Sequence, residues 1–530
     1  MRMGRILPLA GCFLCVLLAG CTVGPDYHRT ATWSPADWER RDAGDGVSSV
    51  VAAEEPLPAW WDVFGDAELS ALERRAAQTN LDVRLATVRL AESRAQLRVT
   101  GADRYPSLNG TGAYTYQTVS NKLLQRGLQD AVGGAAGPLA TIGLPAGTVN
   151  GVRQYAGQVK GPDYQLWQYG VDASWELDLW GRVRREVESA RASVTASAED
   201  RRAVLIAQLS EVARDYMMLR GTQALLAISR ANLRTAQDIE ALTRSRYTSG
   251  LTTELDVDNA RTQAQTTAAD IPNYEQQVAQ QINALSLLLG EPPRALEAEL
   301  DEAKAVPPLP PIVPVGVPSE LARRRPDIRE AEARLHAATA DVGVAVANFY
   351  PKVTLTGALP FETLAFRDLA FWGAAMWSVG PSISVPIFEG GRLRGQLQLS
   401  QARQQEAAIS YQQTVLGAWR DVDNALAAYA DEQKRNQRLA DSEQSAQRAL
   451  DLAQSQYTHG LQTFLNVLNA QRTLLSTQQQ LASSTATQSA NLVQLYNALG
   501  GGWETTFPER ADAMAKGGAD EGTAKENRPG

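Results

Sequence analysis

Histidine and cysteine, the residue types most often used in metal sites and nucleophilic catalysis, are rare in this chain. The 530 residues include three His and three Cys, which are too few for most metal or disulfide schemes. His28 and His336 stand alone, and His459 lies in a predicted turn, where a polar turn residue is favoured over a pH sensor. Catalysis needs convergent nucleophilic or acid–base groups. The sequence therefore predicts that the protein is not an enzyme and has no catalytic residue and no metal.

Cys21 is the residue whose surroundings predict a chemical modification. Two arginines precede an apolar stretch, residues 6–18, which is too short for a mature membrane span and is followed by two small residues directly before Cys21. Residues 1–20 therefore resemble a bacterial lipoprotein signal, which implies a diacylglycerol and an N-acyl chain on Cys21 and no other cofactor. By the same resemblance, Thr22 in place of Asp favours sorting to the Gram-negative outer membrane. The alternative is an ordinary secretory signal with an incidental Cys.

The rest of the chain is built from two similar halves. Residues 245–290 align with residues 455–500 at a constant shift of 210 positions, and 14 of these 46 positions are identical. The same shift pairs Gly181-Arg182 with Gly391-Arg392. Self-similarity at one fixed offset indicates an internal duplication, here of a half-molecule rather than of a short solenoid repeat.

Each half has the same order of predicted elements: a helix, two strands, a very long helix, a turn and a return helix. The first repeat, 66–290, has helices 66–102, 181–247 and 253–289 and strands 107–117 and 165–179. The second repeat, 318–500, has helices 318–349, 391–457 and 463–499 and strands 352–359 and 376–388. The other segments are an N-terminal extension (21–65), a Gly-rich loop (118–162), a Pro-rich linker expected to be extended on the surface (291–317), and a C-terminal segment with a disordered tail (501–530).

The predicted strands alternate between apolar and polar side chains. From Trp167 to Leu179 apolar residues lie on one face, and Asp172, Glu176 and Asp178 lie on the other. A membrane barrel strand and a soluble strand with one buried face both produce this pattern. In a membrane, four strands per chain cannot close a barrel, which starts at about eight strands. Every edge must also be paired there, so that two copies would give eight strands and three would give twelve.

The three acidic positions have two possible roles. Asp172, Glu176 and Asp178 would line the lumen of such a barrel, which predicts a preference for cations. Alternatively, Glu176 and Asp178 face a solvated rim near the strand end.

Beyond the strands, each long helix holds 67 residues, which corresponds to roughly 100 Å. Such helices need neighbours along their length, as in coiled coils.

Five short segments together resemble one known family. They are Cys21–Tyr27, Trp60-Trp61 with Phe64, Arg323–Asp327, Asn466–Arg472 and Leu499–Trp503. The chain resembles the TolC-like outer membrane factors, and within them the OprM/NodT-type lipoprotein branch, over about residues 18–507. The resemblance implies an α+β membrane protein, a homotrimer whose twelve-strand outer-membrane β-barrel takes four strands from each protomer. A long periplasmic α-helical barrel continues the β-barrel, and the lipid on Cys21 anchors the protein in the membrane.

The resemblance also implies a function and its partners. Such a protein conducts small molecules outwards in a tripartite efflux system, with a periplasmic adaptor and an inner-membrane transporter of the RND type. An exit duct for type I protein secretion is an alternative within transport, and a non-conducting structural lipoprotein is another. The net charge of −8 gives no basic surface for nucleic acid.

Adaptor contacts and a periplasmic gate follow from the same resemblance. The adaptor-docking positions are the two helix turns with Tyr247, Gly250, Leu251, Tyr457, Gly460 and Leu461. Packing of the helix ends is an alternative role for the two tyrosines. The gate is placed at Asp451, Leu452 and Gln454. In relatives an acidic residue lies close to the position of Gln454, so that Asp451 takes that role here.

Overall fold

The computed structural model describes residues 22–29, 35, 38, 50–52, 54, 57–118, 120, 122 and 163–507. The predicted signal peptide, Cys21, nearly all of the Gly-rich loop and the tail after Phe507 lie outside the described residues. The chain divides into two compact units. The first is Met1–Asp26, Arg98–Glu188 and Ala340–Ser400, and the second is Tyr27–Leu97, Ser189–Thr339 and Gln401–Gly530.

Strands and helices follow one another twice in the same order. The strands are β1 (Val50–Ala52), β2 (Ser107–Thr118), β3 (Asp163–Leu177), β4 (Ile312–Pro314), β5 (Lys352–Thr363) and β6 (Ser378–Ser384). The helices are α1 (Ala67–Thr79), α2 (Leu81–Ala102), α3 (Arg182–Thr248), α4 (Glu254–Leu288), α5 (Glu297–Leu300), α6 (Leu321–Arg324), α7 (Pro326–Ala347), α8 (Arg392–Thr458) and α9 (Phe464–Leu499). Helices α3 and α8 have 67 residues each. No described helix has both the length and the apolar character needed to cross a membrane.

The first helix of each half is interrupted, whereas the sequence predicts one continuous helix. In the first half Asn80 leaves the helical conformation and its Oδ1 accepts hydrogen bonds from the N–H groups of Asp82 (2.9 Å) and Val83 (3.1 Å). Asn80 therefore caps a new helix, α2. In the second half Arg325 is extended because it precedes Pro326. The single helices predicted at 66–102 and 318–349 are thus wrong at these two points.

The strand boundaries also differ from the prediction, most of all in β5 and β6. Strand β5 continues to Thr363, beyond the predicted end at residue 359, because β3 offers pairing partners as far as Trp167. Strand β6 is limited to Ser378–Ser384, within the predicted 376–388. Its only partner in the sheet is β5, and that pairing ends where β5 begins, at Lys352 opposite Ser384.

The linker between the halves is packed, which corrects the expectation of an extended surface segment. It forms α5 and β4, and β4 pairs in parallel with β1. Leu296, Leu300, Val313 and Val315 are buried in the core of the second unit. Apolar side chains between the prolines account for this, since burying each one stabilises the fold by about 2 kcal/mol.

The core of the second unit brings together sequence segments from both ends of the chain. Trp60, Trp61 and Phe64 are buried with Trp503. The Trp60 ring stacks on Tyr496 at 5.5 Å between ring centroids. Gly502 has a φ of +112° and lies so close to the Trp60 indole that a Cβ there would be 2.9 Å from Nε1. The aromatic segment near residue 60 and the Gly-rich segment near residue 502 thus pack against each other.

Glu73 is a carboxyl group buried in this unit without a hydrogen-bonding partner. Its exposed fraction is 0%, and neither carboxyl oxygen has a hydrogen-bond partner among the described residues. Burial raises the pKa of the Glu73 carboxyl well above its ordinary value, because desolvation disfavours the charged form. An unpaired buried polar group costs about 1–3 kcal/mol.

This carboxyl predicts that stability depends on pH. The folded state holds the Glu73 proton more tightly than the unfolded chain, whose glutamate pKa is about 4.3. Stability should therefore fall as the pH rises from about 4.3 towards the raised folded pKa. Glu73→Gln should remove this loss and raise the melting temperature at neutral pH. The check is thermal unfolding by circular dichroism at several pH values. An equal pH slope in wild type and variant would contradict the assignment.

Candidate functional site

The first unit contains a four-stranded antiparallel sheet in the order β2-β3-β5-β6. Its register places small and polar side chains of all four strands on one face. One row across this face is Asn109, Asp172, Ala358 and Ser378, and another is Ser107, Ser174, Thr356 and Gly380. The duplicated halves thus each contribute two strands to a single continuous polar surface.

The opposite face of the sheet is apolar and remains exposed. One row across it is Leu108, Ala173, Gly357 and Val379. Leu108 and Val379 are each 71% exposed and Ile383 is 67% exposed. A soluble sheet would bury this face against other elements, as its hydrophobic driving force requires. The exposure therefore favours the membrane interpretation of the alternating strands over the soluble one.

Two edges of this sheet are unpaired. Strands β2 and β6 each have one neighbour in the described chain, β3 and β5 respectively. Unpaired N–H and C=O groups are not tolerated in lipid. If the apolar face contacts lipid, both edges require strands from further copies of the chain.

The three predicted lumen positions differ in their surroundings. Asp172 is in β3 and accepts a hydrogen bond from the side chain of Asn109 (3.2 Å). Glu176 forms ion pairs with Arg182 and Lys352, each at 2.8 Å. Asp178 lies beyond the end of β3, whereas the sequence placed it inside the strand, and it accepts a hydrogen bond from the Arg184 N–H at 2.8 Å. Basic partners therefore offset two of the three charges that were expected to favour cations.

The two helix turns have the same backbone geometry. After α3, the Leu251 N–H donates to the Arg246 carbonyl (2.9 Å) and Gly250 has a φ of +73°. After α8, the Leu461 N–H donates to the Gln456 carbonyl (2.9 Å) and Gly460 has a φ of +75°. This is a Schellman motif, in which the left-handed position favours glycine. Both turns therefore need their Gly for the chain reversal itself.

The tyrosines of the two turns have different environments. Tyr247 is 42% exposed, whereas Tyr457 is 4% exposed. The Tyr457 ring lies 4.7 Å from the Arg246 guanidinium and 5.7 Å from the Phe464 ring. Tyr457 thus packs the helix ends together, while Tyr247 is available on the surface. The sequence, which treats the pair as equivalent, does not distinguish these roles.

Exposed leucines are the feature that both turns share. Leu251 is 65% exposed and Leu461 is 74% exposed. One helical turn further along, Leu255 and Leu465 are 69% and 58% exposed. Sequence analysis omitted the second pair from the docking positions, although its identity in both halves was a signal for it. Four exposed leucines at two equivalent turns form an apolar surface suited to a protein partner.

The predicted gate residues lie on the last turns of α8. Asp451 accepts a hydrogen bond from the side chain of Gln447 (2.8 Å), and Leu452 is 63% exposed. Asp451 and Gln454 line a groove of about 420 Å³ that also contains Asp238 and Tyr457. The structure thus brings two of the three predicted gate residues to one groove with a second acidic side chain, Asp238, which sequence analysis missed. Among the described residues there is no group of His, Cys, Asp and Glu that could hold a metal ion.

A family model described as outer membrane efflux protein matches residues 72–291 and 317–501. The chain belongs to this family. The resemblance inferred from the short motifs is thereby confirmed, and this outer membrane efflux protein has the α+β fold of outer-membrane channels, with an internal duplication.

Related sequences and structures are similar over nearly their whole length. The cation efflux system protein CusC of Escherichia coli O6:H1 is 32% identical over 499 residues, covering 92% of this chain and 98% of CusC. The solvent efflux pump outer membrane protein SrpC of Pseudomonas putida is 32% identical over 495 residues, covering 93% and 98%. The solved structure of the outer-membrane channel OprN is 31% identical, with a TM-score of 0.79, covering 91% of this chain and 100% of OprN.

Proposed function

We propose that this outer membrane efflux protein is the exit duct of a tripartite efflux system. Three copies form a twelve-strand barrel in the outer membrane, and their long helices form a periplasmic barrel below it. The duct conducts small molecules, such as drugs or toxic compounds, to the exterior. A periplasmic adaptor and an inner-membrane transporter of the RND type supply cargo and energy, so no catalytic group is needed in this chain.

The two-faced sheet is the observation that carries this proposal. Its apolar face is suited to lipid and its polar face to a water-filled lumen. Four strands with two unpaired edges cannot close by themselves, and three copies give the twelve strands that the resemblance implies. The naming of similar proteins as outer-membrane channels and efflux pump components supports the same conclusion.

Native mass spectrometry of the detergent-extracted protein tests this stoichiometry. We expect a complex of three chains that migrates as an oligomer on unheated gels and as one chain after boiling. A stable monomer would contradict the proposal, because its two sheet edges would stay unpaired in lipid. A dimer would point instead to an eight-strand barrel.

Contacts of the N-terminal segment support the proposal that the lipid anchor on Cys21 lies close to the sheet. Within the first unit, the Val23 N–H donates to the Trp180 carbonyl at 3.1 Å, just after β3 ends. Gly24 has a φ of +92°, and a Cβ there would lie 2.5 Å from the Gly343 Cα. The residues that follow Cys21 are thus held against the helical end of the sheet. Acyl chains on Cys21 would enter the membrane beside the barrel, with several chains giving stable anchoring.

The exposed leucines support an adaptor at the helix turns. Leu251 and Leu461 occupy equivalent turns, so a trimer would present six such turns at the end of its helical barrel.

Similar proteins are named for cations in one case and solvents in another. Cargo of such different kinds agrees with a duct that binds its cargo weakly, and we assign this chain small molecules as a class.

The gate predicts a change in conductance. Asp451→Ala should lengthen channel openings, because in the proposed gate the Asp451 carboxylate helps to keep the periplasmic end narrow. Single-channel recording of both proteins is the measurement. Asp441→Ala is the matched control, since Asp441 also accepts a hydrogen bond from the glutamine four residues before it, Gln437 (3.4 Å). Equal openings in Asp451→Ala and Asp441→Ala would place the gate elsewhere.

A further inference from the structure

An aromatic loop joins β5 to β6 at the end of the sheet away from the long helices. Strand β5 starts directly after α7 and β6 is followed by α8, so residues 364–377 lie at the opposite end. The loop contains two single-turn helices, Phe366–Asp368 and Trp372–Ala374. Six of its large apolar side chains are half or more exposed: Leu364 63%, Phe366 66%, Phe371 65%, Trp372 78%, Met376 50% and Trp377 79%. Such a patch marks an interaction surface.

The loop packs against the apolar face of the sheet. The Phe366 ring lies 4.9 Å from Trp167, and the Trp372 ring lies 5.9 Å from Phe361. Trp167 and Phe361 are on the apolar face, where Phe361 also stacks on Tyr169 at 4.7 Å. The aromatic residues of the loop therefore extend the apolar face beyond the last row of strand residues.

On the polar face at the same end of the sheet, polar side chains of the strands bond to each other rather than to the loop. Gln168 donates a hydrogen bond to Glu362 across β3 and β5 at 2.7 Å. The loop backbone is fixed beside the sheet by the Met376 N–H, which donates to the Pro360 carbonyl at 2.9 Å. The one ion pair within the described loop, Arg367 with Asp368 at 3.7 Å, is exposed. Aromatic rings beside exposed charges are typical of the membrane–water interface.

We infer that the aromatic loop, residues 364–377, is an anchor in the outer leaflet of the outer membrane and not a lid across the channel mouth. The inference rests on the proposed function, in which the apolar face contacts lipid. The exposed surface of the loop contacts lipid at the boundary between the acyl chains and the head groups of that leaflet. The loop is continuous with the lipid-facing surface, and its rings lie on that side of the sheet. Its effect is to fix the depth of the barrel in the membrane.

Fluorescence quenching at single cysteines tests this placement. The mature chain would hold one native Cys, acylated Cys21, so that an introduced thiol is labelled selectively, with unsubstituted protein as the labelling control. The positions are Trp372→Cys in the loop, Val379→Cys on the apolar face and Glu362→Cys on the polar face. Each full-length oligomer carries a fluorophore and is reconstituted into phospholipid vesicles. The quenchers are a nitroxide-labelled phospholipid and aqueous iodide.

We expect the nitroxide lipid to quench the label at position 372 as strongly as at position 379, and iodide to quench most strongly at position 362. Strong iodide quenching with weak lipid quenching at position 372 would overturn the inference and place the loop in water or over the mouth. Quenching by neither agent there would also overturn it, since the loop would then be packed between copies of the chain. Weak lipid quenching at Val379 would instead overturn the membrane barrel, and with it the proposed function.

Discussion

Replacing Leu251 and Leu461 by Asp should abolish efflux while leaving the oligomer intact. Both side chains are largely exposed, so their loss should cost the fold little. Their apolar surface is the part of each turn that an adaptor can bury. A well-buried contact residue contributes about 2 kcal/mol to an interface, which is roughly a thirtyfold change in affinity. With two turns in each of three copies, adaptor binding should be lost.

Sensitivity of an efflux-deficient host to toxic compounds, after complementation with the variant, measures this effect. The double variant Ser249→Asp with His459→Asp, called Ser249→Asp below, is the matched control, because both are exposed polar residues of the same two turns and receive the same two charges. We expect the double leucine variant to behave like an empty vector and Ser249→Asp to behave like wild type. Full complementation by the leucine variant would remove these turns from the docking surface. Failure of both variants would mean that charge at the turn, rather than a lost apolar contact, is responsible.

Gly221→Ala should destabilise the helices strongly, although it adds one methyl group. Gly221 in α3 is buried, and a Cβ there would overlap the Cβ of Ala486 in α9. Neither helix backbone can yield without disturbing its neighbours, because protein interiors are close-packed. Overpacking of this kind costs typically about 1–3 kcal/mol. We expect a marked fall in the melting temperature of the helical circular dichroism signal.

Two further variants separate steric overlap from helix propensity. Gly417 in α8 has open space around its Cβ position, so Gly417→Ala should be neutral or stabilising by up to about 1 kcal/mol. The double variant Gly221→Ala with Ala486→Gly moves the methyl group from one helix to the other and should recover most of the stability. No recovery in the double variant would mean that the approach of α3 to α9 is not limited by this contact.

Sequence reasoning reached the long elements because their signals are local. The long helices predicted at 181–247 and 391–457 are Arg182–Thr248 and Arg392–Thr458 in the structure. Each lacks proline, and two residues after its end a glycine with positive φ reverses the chain. The sidedness of the sheet was likewise contained in the alternation of β3. Alternation alone does not say whether the apolar face contacts lipid or a buried core. The observed exposure of that face was needed to decide between the two.

Long-range contacts account for what the sequence did not predict. The linker was expected on the surface because of its prolines, but Leu300 and Val313 are buried by elements distant in the chain. Tyr247 and Tyr457 occupy equivalent positions, and the guanidinium of Arg246 lies over the Tyr457 ring. The residue equivalent to Arg246 in the second half is Gln456, which has no guanidinium to place over Tyr247. Divergence between duplicated halves changes the partners of a residue without changing the residue itself.

Conductance of the purified oligomer in a planar bilayer tests the central claim, that this protein forms a duct through the outer membrane. Wild type and Asp451→Ala are recorded side by side after their oligomeric state and helical content have been checked. We expect unitary current steps in both, brief in the wild type and longer in the variant. A folded trimer that inserts into the bilayer and carries no current in either form would contradict the account and indicate a structural lipoprotein.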